Sequence, residues 1–172
     1  MDDRAGDVEI LRRTLSVLRR DFAVNAPNDA RTTIVIWRLG QASHTMRSPV
    51  GFMLRRVHGV LDFLWTRAIM GAELPRSVSA GPGLVLHHAG RGVIMFPTAV
   101  LGDDVTLFHQ VTLGIRGSQA APRLETGAYV GAGAKVLGDI TLGTWCRVGA
   151  NAVVTTDVAP RTTVVGIPAR PL

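Results

Sequence analysis

Residues 124–165 decide the fold when they are written in sixes: LETGAY, VGAGAK, VLGDIT, LGTWCR, VGANAV, VTTDVA and PRTTVV. The first residue of each unit is apolar or proline, and the fifth is small or β-branched. This period matches neither an α-helix nor the alternation of a flat strand. It is typical of a coil with three flat faces, in which each unit supplies one short strand and one turn. We therefore predict a mainly β chain in which the first and fifth side chains of each unit point into a narrow core.

The same period begins upstream of this stretch and is interrupted twice. Weaker units start at Leu74, and the phase is disturbed at residues 92–94 before it resumes at Met95. It fails again at residues 114–123, which we predict to be a loop ejected from the coil. Because such a loop has no part in the core, a functional site is the favoured interpretation and a tolerated insertion is the alternative.

The first part of the chain has helical patterns. Three helices are predicted, at about 7–24, 30–43 and 49–70. Asp7 and Ser48 are placed to cap the first and the third. We expect a helical region at 1–72, followed at 73–172 by the repeat region and a short C-terminal tail. These helices either cover the first coil or form a contact surface between chains. The third has a continuous apolar stripe, made of Met53, Val57, Val60, Leu61, Leu64 and Ala68.

Composition and charge limit the possible partners. The formal net charge is +6, but no five like charges run together, so nucleic acid is not an expected partner. The flat faces predict side-by-side association, as a cyclic homotrimer. No apolar span long enough for a membrane helix occurs and the start at Met1 does not look like a signal peptide, which favours the cytoplasm. Cys146, the single cysteine, occupies an inward position and is predicted to be a small buried hydrophobe.

Four titratable residues of the repeat region are candidates for chemistry. His87 and His88 lie in the turn of one unit, and His109 has the same offset from the leading residue of its own unit as His88. Matching offsets on different coils place side chains on matching corners, so His88 and His109 are expected to share a cleft. Glu73 precedes His88 by about one coil and is placed to orient an imidazole that acts as general base. A turn histidine on a solvated corner is the structural alternative.

Other chemistries lack the necessary spacing. The chain has no His-x-x-x-x-His zinc pattern and no cysteine cluster. It also has neither a Gly-x-Ser-x-Gly sequence nor a phosphate-binding Gly-Lys-Ser/Thr sequence. We therefore expect no bound metal, no serine nucleophile and no P-loop.

The repeat region contains two distinctive stretches, GAGAKVLG at 131–138 and VVGIPAR at 164–170, and RDFA at 20–23 is a weaker one. Together they resemble the serine O-acetyltransferases, a branch of the hexapeptide-repeat acyltransferases. The resemblance runs from about Glu73 to Arg170. It implies a left-handed parallel β-helix with an N-terminal helical cap, acetyl-CoA as co-substrate and no bound cofactor.

The resemblance also implies roles for individual residues. His88 matches the family's general base, and Glu73 matches its assisting acid. The candidates for binding the hydroxyl acceptor are His87, His109, Asp21, Arg116 and Arg123. The candidates for binding acetyl-CoA are Gly114, Gly131, Ala132, Lys135 and Arg170.

The sequence departs from the family in the ejected loop. An Arg–His pair that helps the family hold an amino-acid acceptor aligns with Ala120 and Ala121. Loss of a guanidinium at the acceptor's carboxylate removes a contact worth about 1.5–3 kcal/mol, which favours a different acceptor. The pair His87–His88, together with His109 and the compact cap, looks more like the acetyltransferases of exopolysaccharide clusters, such as the colanic acid enzymes.

These observations predict an acetyl-CoA-dependent O-acetyltransferase. The expected acceptor is a hydroxyl of a sugar in a cell-surface polysaccharide precursor, and the alternative is L-serine, as in cysteine biosynthesis. Two other classes stay open, a non-catalytic trimeric scaffold and a metal-dependent hydratase on the same coil.

Overall fold

The N-terminal part of the molecule is helical. The computed structural model describes residues 3–26 and 29–172. Its helices are α1 (Asp3–Val24), α2 (Asp29–Thr45) and α3 (Pro49–Leu61), and α3 continues into a π-helical segment (Asp62–Ile69). Ser48 caps α3 as predicted, because its hydroxyl accepts a hydrogen bond from the N–H of Gly51 at 3.2 Å. Asp7 does not begin a helix. It lies inside α1, and its carboxylate accepts a hydrogen bond from the Ser48 hydroxyl.

Short strands form the rest of the chain. They are β1 (Ser79–Ala80), β2 (Val85–Leu86), β3 (Ile94–Met95), β4 (Val100–Leu101), β5 (Thr106–Leu107), β6 (Thr112–Gly114), β7 (Arg123–Leu124), β8 (Tyr129–Val130), β9 (Lys135–Leu137), β10 (Thr141–Leu142), β11 (Arg147–Val148), β12 (Val153–Val154), β13 (Thr163–Val165) and β14 (Arg170–Pro171). The first face of the coil contains β1, β4, β7 and β10, and the third contains β3, β6, β9 and β12. The second face contains β2, β5, β8, β11 and β13, with β14 antiparallel at its edge. All other pairings are parallel, which confirms the predicted β-helix.

The register follows the six-residue period. Leu107 pairs with Val130, and Leu113 pairs with Val136, so leading residues stack directly above one another. These four side chains are fully buried, as the period predicts. Pro160, the first residue of the last unit, is exposed, so the prediction that it points into the core is wrong. The last units are shorter, and other valines of the segment take the inward positions.

Both interruptions of the period are insertions at corners of the coil. In a regular coil of three six-residue units, Leu86 would pair with residue 104. It pairs with Leu107 instead, so one corner carries three extra residues. This corner, residues 87–92, joins the second face to the third and is called the histidine corner below. Leu101 pairs with Leu124 rather than with residue 119, so five extra residues lie in the ejected loop, 114–123. The loop joins the third face to the first.

Hydrogen bonds from buried side chains attach the helices to the first coil. The Arg38 guanidinium donates to the carbonyls of Ala80 and Gly81 at 2.8 and 2.7 Å. The Asn25 amide donates to the carbonyl of Leu84 at 2.7 Å. The Trp37 indole donates to the carbonyl of Pro75 at 3.1 Å. The helices therefore cover the start of the coil, as predicted.

The apolar stripe of the third helix does not cover the coil. Met53, Val60 and Leu64 of this stripe are each more than half exposed. The inward side of α3 and the π-helical segment instead carries small or polar residues, and His58 is one of them. Within residues 3–26 and 29–172, no helix is long and apolar enough to cross a bilayer.

Candidate active site

The histidine corner has an unusual backbone. The φ angles of His88, Ala89 and Gly90 are 54°, 60° and 70°. Three consecutive residues in the left-handed region, two of them not glycine, indicate a strained conformation held by the surrounding structure. The insertion turns the His88 side chain outward, where it is exposed. Strain of this kind is concentrated at functional sites.

His109 lies beside His88, as their matching offsets predict. Because β2 and β5 are neighbours on the second face, the two rings meet above it. Their centroids are 4.8 Å apart and their planes are perpendicular, at 89°. The Nδ1 atom of His109 is buried and has no hydrogen-bond partner among the described residues. The pair is the most concentrated group of potential acid–base side chains on the coil.

His87 begins a ladder of aromatic rings that the sequence did not predict. Its ring lies 4.0 Å from that of Phe108, which in turn lies 5.3 Å from that of Tyr129. The Arg147 guanidinium covers Tyr129 at 4.2 Å. Burial, followed by the positive charge available to His88, lowers the pKa of His87 below its usual value. The His87 ring is thus partly covered by Phe108, although the residue as a whole is exposed.

A cavity of about 320 Å³ opens along this ladder. Phe108, Tyr129 and Arg147 line one part of it, and Gly131 and Ala132 line another. None of the three histidines of the coil lines the cavity, which extends along the second face toward the later coils, where Val148 and Thr163 also line it. The sequence signal was present, since aromatic residues recur on consecutive coils of one face.

Glu73 does not contact His88. Its backbone pairs with Ile94 on the third face, and its side chain, 56% exposed, points to Arg67 at 4.0 Å. No hydrogen bond joins Glu73 to His88 within the described part of the chain. The predicted carboxylate–imidazole contact is therefore not made in this structure.

Asp21 is a structural residue in this fold rather than a free acceptor ligand. It is completely buried. One carboxylate oxygen accepts hydrogen bonds from the N–H groups of Gly83 and Leu84 at 2.8 and 3.0 Å, and the other accepts from the Arg38 guanidinium at 2.9 Å. Protein donors therefore occupy both oxygens, which favours a structural role, and the contact of Asp21 with an acceptor stays a prediction.

The ejected loop lies across the third face from the histidine corner. Arg116 is exposed within the loop, and Arg123 is exposed on the first face, in β7. Neither arginine contacts the histidine pair in one chain. Ala121, 8% exposed, packs into the core instead of facing solvent. The third face is thus bordered by the histidine corner on one side and by the loop on the other.

The candidates for acetyl-CoA binding separate into two groups. Lys135 lies on the third face, and its ammonium donates to the carbonyl of Gln110, beside His109, at 2.7 Å. Gly114 lies on the same face. By contrast, Arg170 lies in the tail strand β14, at the other end of the coil.

Gly131 has a structural reason to be glycine. A Cβ there would lie 2.8 Å from the N atom of Ala150 and 2.9 Å from the carbonyl oxygen of Val148. Both atoms belong to the neighbouring coil, so the close approach is between coils. Gly131 and Ala132 still line the cavity described above.

Among residues 3–26 and 29–172, no cluster of three or more histidine, cysteine or acidic side chains is arranged to hold a metal ion. The chemistry that these residues can supply directly is proton transfer by imidazole, with cations nearby. A β-helix of hexapeptide units with a histidine corner and an ejected loop is the architecture of the hexapeptide-repeat acyltransferases.

Comparison with known proteins identifies the family. The chain is 39% identical over 140 residues to the serine acetyltransferase of Helicobacter pylori strain J99, in a match that covers 80% of this chain and 77% of that protein. The crystal structure of serine acetyltransferase from Brucella abortus strain S19 superposes with a TM-score of 0.82 at 26% identity, covering 99% of this chain and 73% of that one. The chain therefore belongs to the serine acetyltransferase family of acyltransferases. No family model matches it.

The relatives differ in length. The chain is 38% identical over 137 residues to serine acetyltransferase 3 of Arabidopsis thaliana, a match that covers 70% of this chain but only 35% of that protein. The chain thus spans about a third of this longer relative. The finer assignment to the exopolysaccharide enzymes stays a prediction.

Proposed function

We propose that the protein transfers an acetyl group from acetyl-CoA to an acceptor hydroxyl, with His88 as general base. The observation that carries this proposal is the strained corner that presents an exposed His88 against the ring of His109. Family membership supports the donor, and one solved serine acetyltransferase that is 27% identical to this chain is a complex with CoA.

The proposed reaction is a direct transfer. His88 removes the proton from the acceptor hydroxyl as its oxygen attacks the thioester carbonyl. Backbone N–H groups at a turn of the coil stabilise the oxyanion of the tetrahedral intermediate. When the intermediate collapses, the C–S bond breaks and the imidazolium of His88 protonates the departing CoA thiolate. No acyl-enzyme is required, because both substrates meet in one cleft.

The third face is the proposed path of the CoA arm. It begins at the histidine corner and ends at the ejected loop, and Lys135 and Gly114 lie on it. Lys135 and Arg116 are the cations available for its phosphates. Arg170, in the tail strand β14, stays a candidate for the same role.

We propose a sugar hydroxyl as the acceptor. The cavity of about 320 Å³ on the second face, whose wall residue Phe108 stacks on His87, falls in the range that accommodates a ring-bearing ligand. Its wall of Phe108 and Tyr129 offers apolar surface to a sugar ring, and Arg147 offers charge to an anionic substituent. The alanines at 120 and 121 supply no charge for an amino-acid carboxylate.

L-serine is the second candidate acceptor. The names of the relatives favour it, and a Neisseria gonorrhoeae serine acetyltransferase structure, 26% identical to this chain, is a complex with serine. A thiol-release assay with acetyl-CoA and a panel of serine, homoserine and sugars decides between the two. Release with serine but with no sugar would refute the sugar proposal. A scaffold would neither bind nor hydrolyse acetyl-CoA, and a metal-dependent hydratase would retain zinc in elemental analysis.

Three further features belong to the proposal. The flat faces and the exposed apolar stripe of α3 support a homotrimer, in which a neighbouring loop brings Arg116 or Arg123 to the histidine corner. We place the boundary between the helical and repeat regions at residues 72 and 73. We propose a cytoplasmic location, because a free buried thiol at Cys146 fits a reducing compartment.

A further inference from the structure

A second cavity lies between the helices and the start of the coil, and none of its lining residues belongs to the histidine corner. Its volume is about 410 Å³, which falls in the range of small-molecule sites. We propose that this cavity binds a small organic monocarboxylate, with Arg76 as the cation that holds the carboxylate and His58 as a second hydrogen-bonding partner. The inference goes beyond the proposed acetyl transfer and does not rest on it.

The charges in the cavity wall favour a ligand with one negative charge. Among the described residues, the charged side chains of the wall are Asp62, Arg67 and Arg76. Arg67 is already paired, because it lies 3.0 Å from Asp62 and 4.0 Å from Glu73. Arg76 forms no ion pair within the part of the chain that the structure describes. Since a carboxylate can accept two hydrogen bonds from one guanidinium, a monocarboxylate matches both the charge and the geometry of Arg76.

The backbone that carries Arg76 is fixed in place. Residues 75–78 form a turn, in which the N–H of Val78 donates to the carbonyl of Pro75 at 3.1 Å. The Trp37 indole donates to the same carbonyl at 3.1 Å and fastens the turn to α2. The position of Arg76 is therefore set before a ligand arrives, which reduces the loss of conformational freedom on binding.

His58 is an independent observation that indicates a ligand at this cavity. It lines the cavity and is only 7% exposed, and both of its ring nitrogens are buried without a hydrogen-bond partner among residues 3–26 and 29–172. Buried side-chain nitrogens are rarely left in this state, and a bound ligand would supply the partner. The ring lies over Gly40 in the interior of α2, where a Cβ would overlap it, so the helix carries a destabilising glycine that makes room for this imidazole.

The His58 ring is able to turn toward a ligand. No hydrogen bond fixes it, so a half-turn about its Cβ–Cγ bond exchanges its nitrogen and carbon edges. Burial lowers the pKa of His58, the charge of Asp62 opposes this effect, and the charge of Arg76 adds to it. The three groups thus share one electrostatic environment, and the neutral ring keeps one N–H that can donate to a carboxylate oxygen.

Butyrate is the probe that suits this cavity, because its carboxylate matches Arg76 and its propyl chain matches the apolar surface of Leu74 and Pro75. Calorimetric titration at constant ionic strength should give a Kd in the millimolar range. Acetate should bind about tenfold more weakly, because it lacks two methylene groups. Butanol lacks the charge, and phosphate carries more charge than Arg76 balances, so each should also bind at least about tenfold more weakly than butyrate.

Two variants test the assigned residues. Arg76→Gln changes an exposed side chain and should weaken butyrate binding at least about tenfold. His58→Leu keeps a buried apolar side chain but removes both nitrogens, and it should weaken binding about threefold to tenfold. The matched control is Arg19→Gln, an exposed arginine of α1 outside the cavity, which should bind butyrate as the wild type does. Wild-type affinity in either Arg76→Gln or His58→Leu would overturn the inference.

NMR locates the site without a substitution. On addition of butyrate, the ring signals of His58 should shift and saturate at the calorimetric Kd, whereas those of His88 and His109 should not move. An excess of CoA should leave the shifted His58 signals unchanged. Unmoved His58 signals, or displacement of butyrate by CoA, would refute a second site. None of these experiments measures turnover, so their failure and the failure of the proposed acetyl transfer are distinguishable.

Discussion

The buried ion pair between Asp21 and Arg38 gives the sharpest stability prediction. Asp21 is fully buried and Arg38 is 4% exposed. In Asp21→Asn the amide oxygen can still accept from Gly83 and Leu84, but the amide NH2 then faces Nε of Arg38, which loses both its acceptor and its counter-charge. Breaking a buried pair in this way costs about 3–5 kcal/mol. We therefore expect the free energy of unfolding to fall by that amount.

Urea unfolding at a fixed protomer concentration measures this cost, since assembly contributes to apparent stability. The matched control is Arg20→Gln, which breaks the exposed pair of Arg20 and Asp104 and should cost less than about 1 kcal/mol. The double variant Asp21→Asn/Arg38→Met should recover part of the loss. A cost below about 1 kcal/mol for Asp21→Asn, together with a raised acceptor KM, would refute the structural role and restore the acceptor-binding role.

Three other predictions concern buried positions. Burial lowers the pKa of His58 in the folded protein. As the pH falls below about 6.5, the unfolded chain therefore binds a proton at His58 before the folded protein does, and the folded state loses stability. His58→Leu should therefore lose less Tm than the wild type between pH 7.5 and 5, and equal losses would contradict this. Burial raises the pKa of Cys146 to about 11, so its thiol should react with a disulfide reagent only after unfolding. Rapid reaction in the native protein would be inconsistent with the fold. Gly131→Ala should destabilise by about 1–3 kcal/mol because its Cβ would strike the next coil, whereas wild-type stability would show that the coils can separate there.

The repeat was predictable because it is set by local packing. Each unit must place its first and fifth side chains in a narrow core, so the period fixes both the register and the position of His109 relative to His88. The insertions at the histidine corner and the loop were visible as breaks in that period. The exposed Pro160 was not predicted, because no local pattern indicates that the final units are shorter.

Contacts between distant segments were not predictable in the same way. The carboxylate of Asp21 is occupied by backbone groups more than 60 residues away, which no local pattern reveals. The outward direction of Glu73 follows from its pairing with Ile94 across the three-residue insertion. The stripe on α3 was recognisable as apolar, but its exposure depends on how the helices pack on the coil. The roles assigned to the site residues stay predictions.

The most direct test of the account is the turnover of His88→Ala with acetyl-CoA and the acceptor that the panel identifies. A general base contributes about 10²–10⁴-fold, so kcat should fall by that factor while the protein keeps its Tm and its affinity for CoA. His44→Ala, an exposed histidine outside the site, should retain wild-type turnover. Near-normal turnover in His88→Ala would contradict the central claim that the histidine corner supplies the base for acetyl transfer.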